Sequence, residues 1–106
     1  MLSADRSPRW HIIRRRWLIL HPLCAACGQG DHLEVHHVQP FYLFPELELD
    51  EGNLLTLCSK GPGGMDCHLV IGHSGDWKAY NKDSVADASR FLEMLTKRIY
   101  ERGNPG

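Results

Sequence analysis

The chain has no long hydrophobic run: its longest apolar stretch is a few residues, far short of the roughly 20 that a membrane-spanning helix requires. That excludes such a helix, and no membrane is expected among its partners. Internal repeats and low-complexity tracts are also lacking, so a repeat array is excluded. Lys and Arg are absent from residues 28–58, a stretch that holds Asp31, Glu34, Glu46, Glu48, Asp50 and Glu51. The start, Met-Leu-Ser-Ala-Asp, has no signal-peptide pattern, which gives the expectation of a cytoplasmic protein. Cysteine is scarce, with four residues in 106. In a reducing compartment those four are less suited to disulfides than to a metal.

At 106 residues, 42% hydrophobic and 24% charged, the chain has the composition of a globular protein with room for one domain. Its motifs therefore share a core or border it. The net charge of −1 hides an asymmetry, because residues 1–22 carry five arginines against Asp5 alone. A polyanion would be drawn to that end and repelled by the acidic stretch, unless a bound cation offsets the local field.

Ser7-Pro8 has the pattern of an N-cap and first helical position. Trp10, Ile13, Trp17 and Leu20 follow at helical spacing until Pro22, which predicts a basic amphipathic helix within residues 1–22. Leu33–Val38 and Leu54–Leu57 have strand character. Residues Lys60–Met65 form a Gly-rich insertion, after which Asp66 is placed to cap a short helix bearing Cys67 and His68 that ends at Gly72. A last helix is predicted over 84–102. Ser84-x-x-Asp87 resembles a capping box there, and Val85, Ala88, Phe91, Leu92, Leu95 and Ile99 form a stripe. The stripe packs against the first helix or, in the alternative, forms a homodimer or partner-protein face.

Cys24-Ala-Ala-Cys27-Gly28 has the spacing of a zinc knuckle, in which two thiolates reach one ion from a tight turn. Cys58 and Cys67 supply a second pair. Their eight-residue separation is accommodated because the Gly-rich insertion can loop out at small entropic cost. Four thiolates suit a closed tetrahedral zinc site, and a chain with so few strands gains folding free energy from it. The competing readings are four reduced, partly buried cysteines, or two redox-active ones beside two core ones. His32 lies near the knuckle as a substitute ligand should Cys67 be displaced.

Glu34-Val35-His36-His37-Val38-Gln39-Pro40, then Asn53-Leu54-Leu55-Thr56-Leu57-Cys58, then Cys67-His68, occur in an order that resembles the HNH endonuclease family over residues 24–73. The resemblance implies an α+β fold: a small ββα-metal (His-Me finger) core, flanked here by N- and C-terminal helices. It implies that His37 is the general base, that His36 and His68 hold a divalent ion (Mg2+, Mn2+, Ni2+ or Zn2+), and that Asn53 pins the loop. The cysteine-bound Zn2+ is a separate structural brace.

The chemistry gives its own reasons for these residue types. Phosphodiester hydrolysis needs an activated water, charge stabilisation on the phosphate and help for the departing oxygen. Neutral histidine suits the first need, with an ordinary pKa near 6.5, and a cation suits the others. A ligating imidazole also needs its second nitrogen fixed, by Glu34 or by a backbone carbonyl. Asn53 can bond backbone groups with both ends of its amide, although taken alone it is an ordinary Asn after Gly52 in a turn.

Two features depart from the simplest carry-over. Neighbours on a regular strand face opposite ways, so His36 and His37 can serve one phosphate only if the strand twists or ends there. Many family members also place a further ligand four residues beyond the first on the helix, where this chain has Gly72. His73 is offset by about 140° from His68 on an ideal helix, so it shares the ion only if the helix unwinds at Gly72, and is otherwise solvent-exposed. Arg14, Arg15, Arg16 and Lys78 are candidate phosphate contacts or solvated surface charges. Trp77 and Tyr80 could stack on exposed bases, but core packing is the preferred reading for both. The expected function is hydrolysis of DNA. The alternatives are a non-catalytic zinc-stabilised nucleic-acid-binding module and an assembly partner in a phage-type machine.

Overall fold

The computed structural model describes residues 6–103. Helix α1 spans Trp10–Leu20, strands β1 and β2 span Leu33–His37 and Leu54–Cys58, a one-turn π-helix spans His68–Gly72, and helix α2 spans Ser84–Gly103. The strands form an antiparallel pair in which Leu33 faces Cys58 and His37 faces Leu54. Their connection contains two short 3-10 turns, Pro45–Leu47 and Glu51–Asn53. The π-helix packs on both strands. The result is an α+β protein whose ββα core has helices on either flank.

The core is small and rich in sulfur. Cys24, Ala26, Leu55, Leu57, Cys58, Cys67, Ile71 and Ala88 are buried together, with Leu33, Val38, Met65 and Phe91 packed against them. Every residue of β2 is buried, which is why Leu54–Cys58 is a continuous apolar run broken only by Thr56. Thr56 is satisfied in place: its hydroxyl accepts a hydrogen bond from Trp17 Nε1 at 2.9 Å and donates to the carbonyl of His21 at 2.9 Å. These two bonds fasten the end of α1 to the sheet.

Three local expectations change. Helix α1 begins at Trp10, not Pro8: residues 7–9 form a turn that feeds the helix, in which the Ser7 hydroxyl accepts the Arg9 amide at 3.1 Å and the Ser7 carbonyl the Trp10 amide at 3.0 Å, while the Ser7 amide donates to the Glu48 carboxylate at 3.0 Å. The capping box at Ser84 does not form. Asp87 turns to Asn81 Nδ2 at 2.7 Å instead, and the Ser84 hydroxyl is buried without a partner. Helix α2 packs principally on the π-helix rather than on α1. Asn81 tethers its start by donating to the Ile71 carbonyl at 3.0 Å. Ala88 is fully buried there and Phe91 half-buried, while Val85, Leu92 and Ile99 of the same stripe stay exposed.

Candidate functional site

Ligand-bearing side chains gather in two groups that share no residue. The first is Cys24, Cys27, Cys58 and Cys67, whose sulfur atoms all lie within 4.8 Å of one another. Cys27 Sγ and Cys58 Sγ are 3.5 Å apart. Sulfurs bound about 2.3 Å from a tetrahedral zinc would be about 3.8 Å apart, so the cluster has the size of such a site. Cys24 Sγ accepts backbone N–H groups from Cys27 and Cys58, both at 3.4 Å. Burial pushes its thiol up, but these donors and the amide of Ala26 outweigh that and hold it below the ordinary value. Burial and the neighbouring Cys27 thiol push Cys58 up to about 11, and burial with the other sulfurs raises Cys67 as well. Holding Cys58 and Cys67 as thiolates therefore requires a cation among the sulfurs.

Cys67 reaches the cluster because the insertion folds back on itself. The Gly61 amide donates to the Met65 carbonyl at 2.6 Å, and Gly63 and Gly64 adopt φ of 70° and 81°. His32, the possible substitute, is exposed.

The second group is His36, His68 and His73. His68 Nε2 lies 3.1 Å from His36 Nδ1 and 3.3 Å from His73 Nε2. Two imidazole nitrogens bound about 2.0–2.1 Å from one tetrahedral ion would be about 3.3 Å apart. The tautomers follow from the outer partners. His68 Nδ1 faces Glu34 Oε1 at 3.0 Å, and His73 Nδ1 faces the carbonyl of Ala79 at 2.7 Å. Both partners are acceptors, so both Nδ1 atoms carry the hydrogen. The two Nε2 lone pairs then point at one another with no hydrogen between them, an arrangement that repels unless a cation lies there. Burial, and then the neighbouring imidazoles, push the pKa of His36 down to about 3, which keeps it in the neutral, ligating form. A divalent ion fits these residues.

His73 joins the cluster by a route the sequence reading did not contain. The helix does not unwind at Gly72. Residues 68–72 are a π-helix, whose i→i+5 repeat brings residue 73 over residue 68. His36 can lie beneath that turn because Gly72 has no side chain.

His37 ends β1 and, like His36, is buried within the strand, where successive side chains alternate in direction. Its Nε2 lies 2.9 Å from the carbonyl of Glu48 and therefore carries the hydrogen, leaving Nδ1 as the lone pair. Its ring packs against Trp10, with centroids 4.5 Å apart. Burial lowers its pKa, with the Glu48 carbonyl acting in the opposite direction. Both histidines nonetheless border one cavity of about 310 Å³, lined by Arg6, Val35, Pro40, Phe41, Tyr42, His68, His73 and Trp77 as well. Asn53 is buried; its Oδ1 accepts from the Gln39 amide at 2.8 Å and its Nδ2 donates to the Gln39 carbonyl at 3.0 Å. It clamps the chain two residues beyond His37.

Arg14, Arg15, Arg16 and Lys78 do not line the cavity. All four are exposed, and Arg16 pairs with Glu51 at 3.6 Å. Sequence reasoning missed Arg6, whose guanidinium lies over Phe41 at 4.4 Å and 3.7 Å from Glu48. No local pattern marks it, since only the fold brings residues 6, 41 and 48 together. Trp77 is not core packing either: it is 54% exposed, with its ring 4.8 Å from that of His73. Tyr80 is half-buried.

The family model described as HNH endonuclease matches residues 24–71, the stretch that carries both strands, all four cysteines, His36, His37, Asn53 and His68. Over this segment, a little under half of its length, the chain is similar to the HNH endonuclease family. No curated protein and no solved structure matches the chain. Among the described residues, no helix is long and apolar enough to cross a membrane.

Proposed function

We propose that this protein is a metal-dependent endonuclease that hydrolyses DNA phosphodiester bonds. The observation that carries the reading is the cavity wall shared by His37 and the histidine cluster. His36 Nδ1, His68 Nε2 and His73 Nε2 would hold the divalent ion. When bound, it supplies Lewis-acid neutralisation of charge on the phosphate and on the departing oxygen.

The chain's own residues do the rest. His37 accepts the proton of the attacking water at Nδ1, a role its neutral state and fixed tautomer support. The Glu48 carbonyl and the Trp10 ring hold the imidazole in place. As the water oxygen bonds to phosphorus, the bond from phosphorus to the departing oxygen breaks. Arg6 offers the cavity a permanent positive charge, and Asn53 positions the segment after His37. Zn2+ at the four cysteines braces the fold. An all-imidazole donor set is better matched to Zn2+ or Ni2+ than to Mg2+, which prefers oxygen ligands.

The test is incubation of the protein with supercoiled plasmid and Zn2+, Ni2+, Mn2+ or Mg2+, each with a chelator control and the His37→Ala variant. Cleavage with Zn2+ or Ni2+, lost by the variant at unchanged zinc content, is the expected result. A folded, zinc-loaded protein that fails to cleave with any of the four ions would make the non-catalytic nucleic-acid-binding module the correct reading.

A further inference from the structure

Trp77 belongs to neither the buried core nor the set of candidate metal ligands. It is 54% exposed, yet the loop that carries it is closely tied. Asp76 N donates to the His73 carbonyl at 3.0 Å, Ala79 N to the Asp76 carbonyl at 2.8 Å, and Lys78 N to Asp76 Oδ1 at 2.9 Å. The same loop supplies the carbonyl that fixes His73. The indole thus stands beside the histidine cluster, 5.1 Å from the His68 ring and 4.8 Å from the His73 ring. A second exposed aromatic, Tyr42 at 68%, borders the same cavity from the loop after β1.

Charge around the cavity is sparse. Of the residues that line it, Arg6 alone carries a permanent charge. The segment 28–58 that forms much of its surroundings contains six carboxylates and no Lys or Arg. Duplex binding draws its affinity from many phosphate contacts spread over two strands. An unpaired strand has a further source of affinity besides its backbone charges: its bases are free to stack on exposed aromatic faces.

We infer that the cleft takes an unpaired DNA strand, with Trp77 and Tyr42 as stacking platforms for the nucleotides flanking the phosphate at the histidine cluster. The inference rests on the nuclease reading for the placement of that phosphate. Stacking needs an unstacked base, so the preferred substrate is a single strand or a locally melted segment. A continuous duplex presents its bases edge-on in the grooves and leaves both rings without a partner.

The test measures binding, not cleavage, with the Zn2+-loaded His37→Ala variant. A fluorescein-labelled oligonucleotide is titrated at fixed salt, alone and annealed to its complement. The single strand should bind about tenfold tighter or more, and Trp77→Ala in that background should weaken single-strand binding by about tenfold, the loss of one stacked base. Trp77→Phe, which keeps a stacking face, should retain most of the affinity, and duplex binding should change little. Zinc content and the circular dichroism spectrum check that each variant is folded. Equal or tighter duplex binding, no binding of either form, or single-strand affinity indifferent to Trp77→Ala overturns the inference. Single-strand binding without plasmid cleavage by the parent protein would sink the nuclease reading alone, and cleavage with duplex preference would sink this one alone.

Discussion

Gly72 and the imidazole of His36 are in such close contact that a methyl group built on Gly72 would lie 3.0 Å from His36 Cε1 and Nδ1. His36 is 1% exposed and its backbone is paired with Leu55, so making room for the methyl group shifts the ring within the histidine cluster. Gly72→Ala is therefore expected to lower stability by about 1–3 kcal/mol, the range for overpacking a tight site. It should also reduce Zn2+ or Ni2+ binding at the histidine cluster. Urea unfolding and metal titration by calorimetry check the two effects, and wild-type values in both would show that the helix can lift away from the strand.

Glu34 is half-buried and holds the outer nitrogen of His68 at 3.0 Å. Loss of such a partner costs a metal site roughly 10–100-fold in affinity or activity. Glu34→Ala is expected to fall in that range, and Glu34→Gln, which keeps an acceptor oxygen, to lose less. The readout is the dissociation constant for Ni2+ in each variant. An unchanged constant in Glu34→Ala would mean that His68 is oriented by packing alone.

Much of this candidate site could be read from the chain because its ligand-bearing residues lie in short local patterns. Cys24-x-x-Cys27, His36-His37 and Cys67-His68 announce their chemistry whatever surrounds them, and Asn53 gained meaning from its place in the series. What was not legible depends on distant packing. The π-helix that brings His73 over His68 exists beside an imidazole from another element, and nothing within residues 68–73 specifies that neighbour. Arg6 reaches the cavity only because Glu48 fastens Ser7. Helix α2 shows its apolar stripe plainly, but a stripe does not name its partner, and the Asn81 tether to Ile71 that decides it is one polar side chain among many.

Stability should fall on acidification. His36 and His37 resist protonation in the folded protein because they are buried, whereas in the unfolded chain they take up protons near pH 6.5. The unfolded state then binds more protons, so stability is complete above about pH 6.5. For His36 it is lost progressively down to its folded value of about 3, at about 1.4 kcal/mol per pH unit for each such group. An ion at the cluster steepens the trend, since it binds only the deprotonated rings. Urea midpoints between pH 7.5 and 5 that do not move would contradict the buried, neutral state of both histidines.

The cysteine and histidine clusters should respond separately to metal removal, because they share no ligand. Three of the eight residues in the buried core are cysteines, so losing zinc removes part of the core as well as a crosslink. Zinc-finger peptides gain on the order of 10–16 kcal/mol from structural zinc, more than the roughly 5–15 kcal/mol that separates most folded domains from their unfolded state. Cys67→Ser is expected to lose zinc and unfold, with collapse of the circular dichroism signal at room temperature. His68→Ala is expected to keep one zinc per chain and a folded spectrum while losing ion-dependent cleavage. The comparison is made by native mass spectrometry on both variants. If Cys67→Ser stays folded and zinc-loaded, three thiolates suffice, and the eight-residue spacing from Cys58 to Cys67 reflects packing rather than ligation.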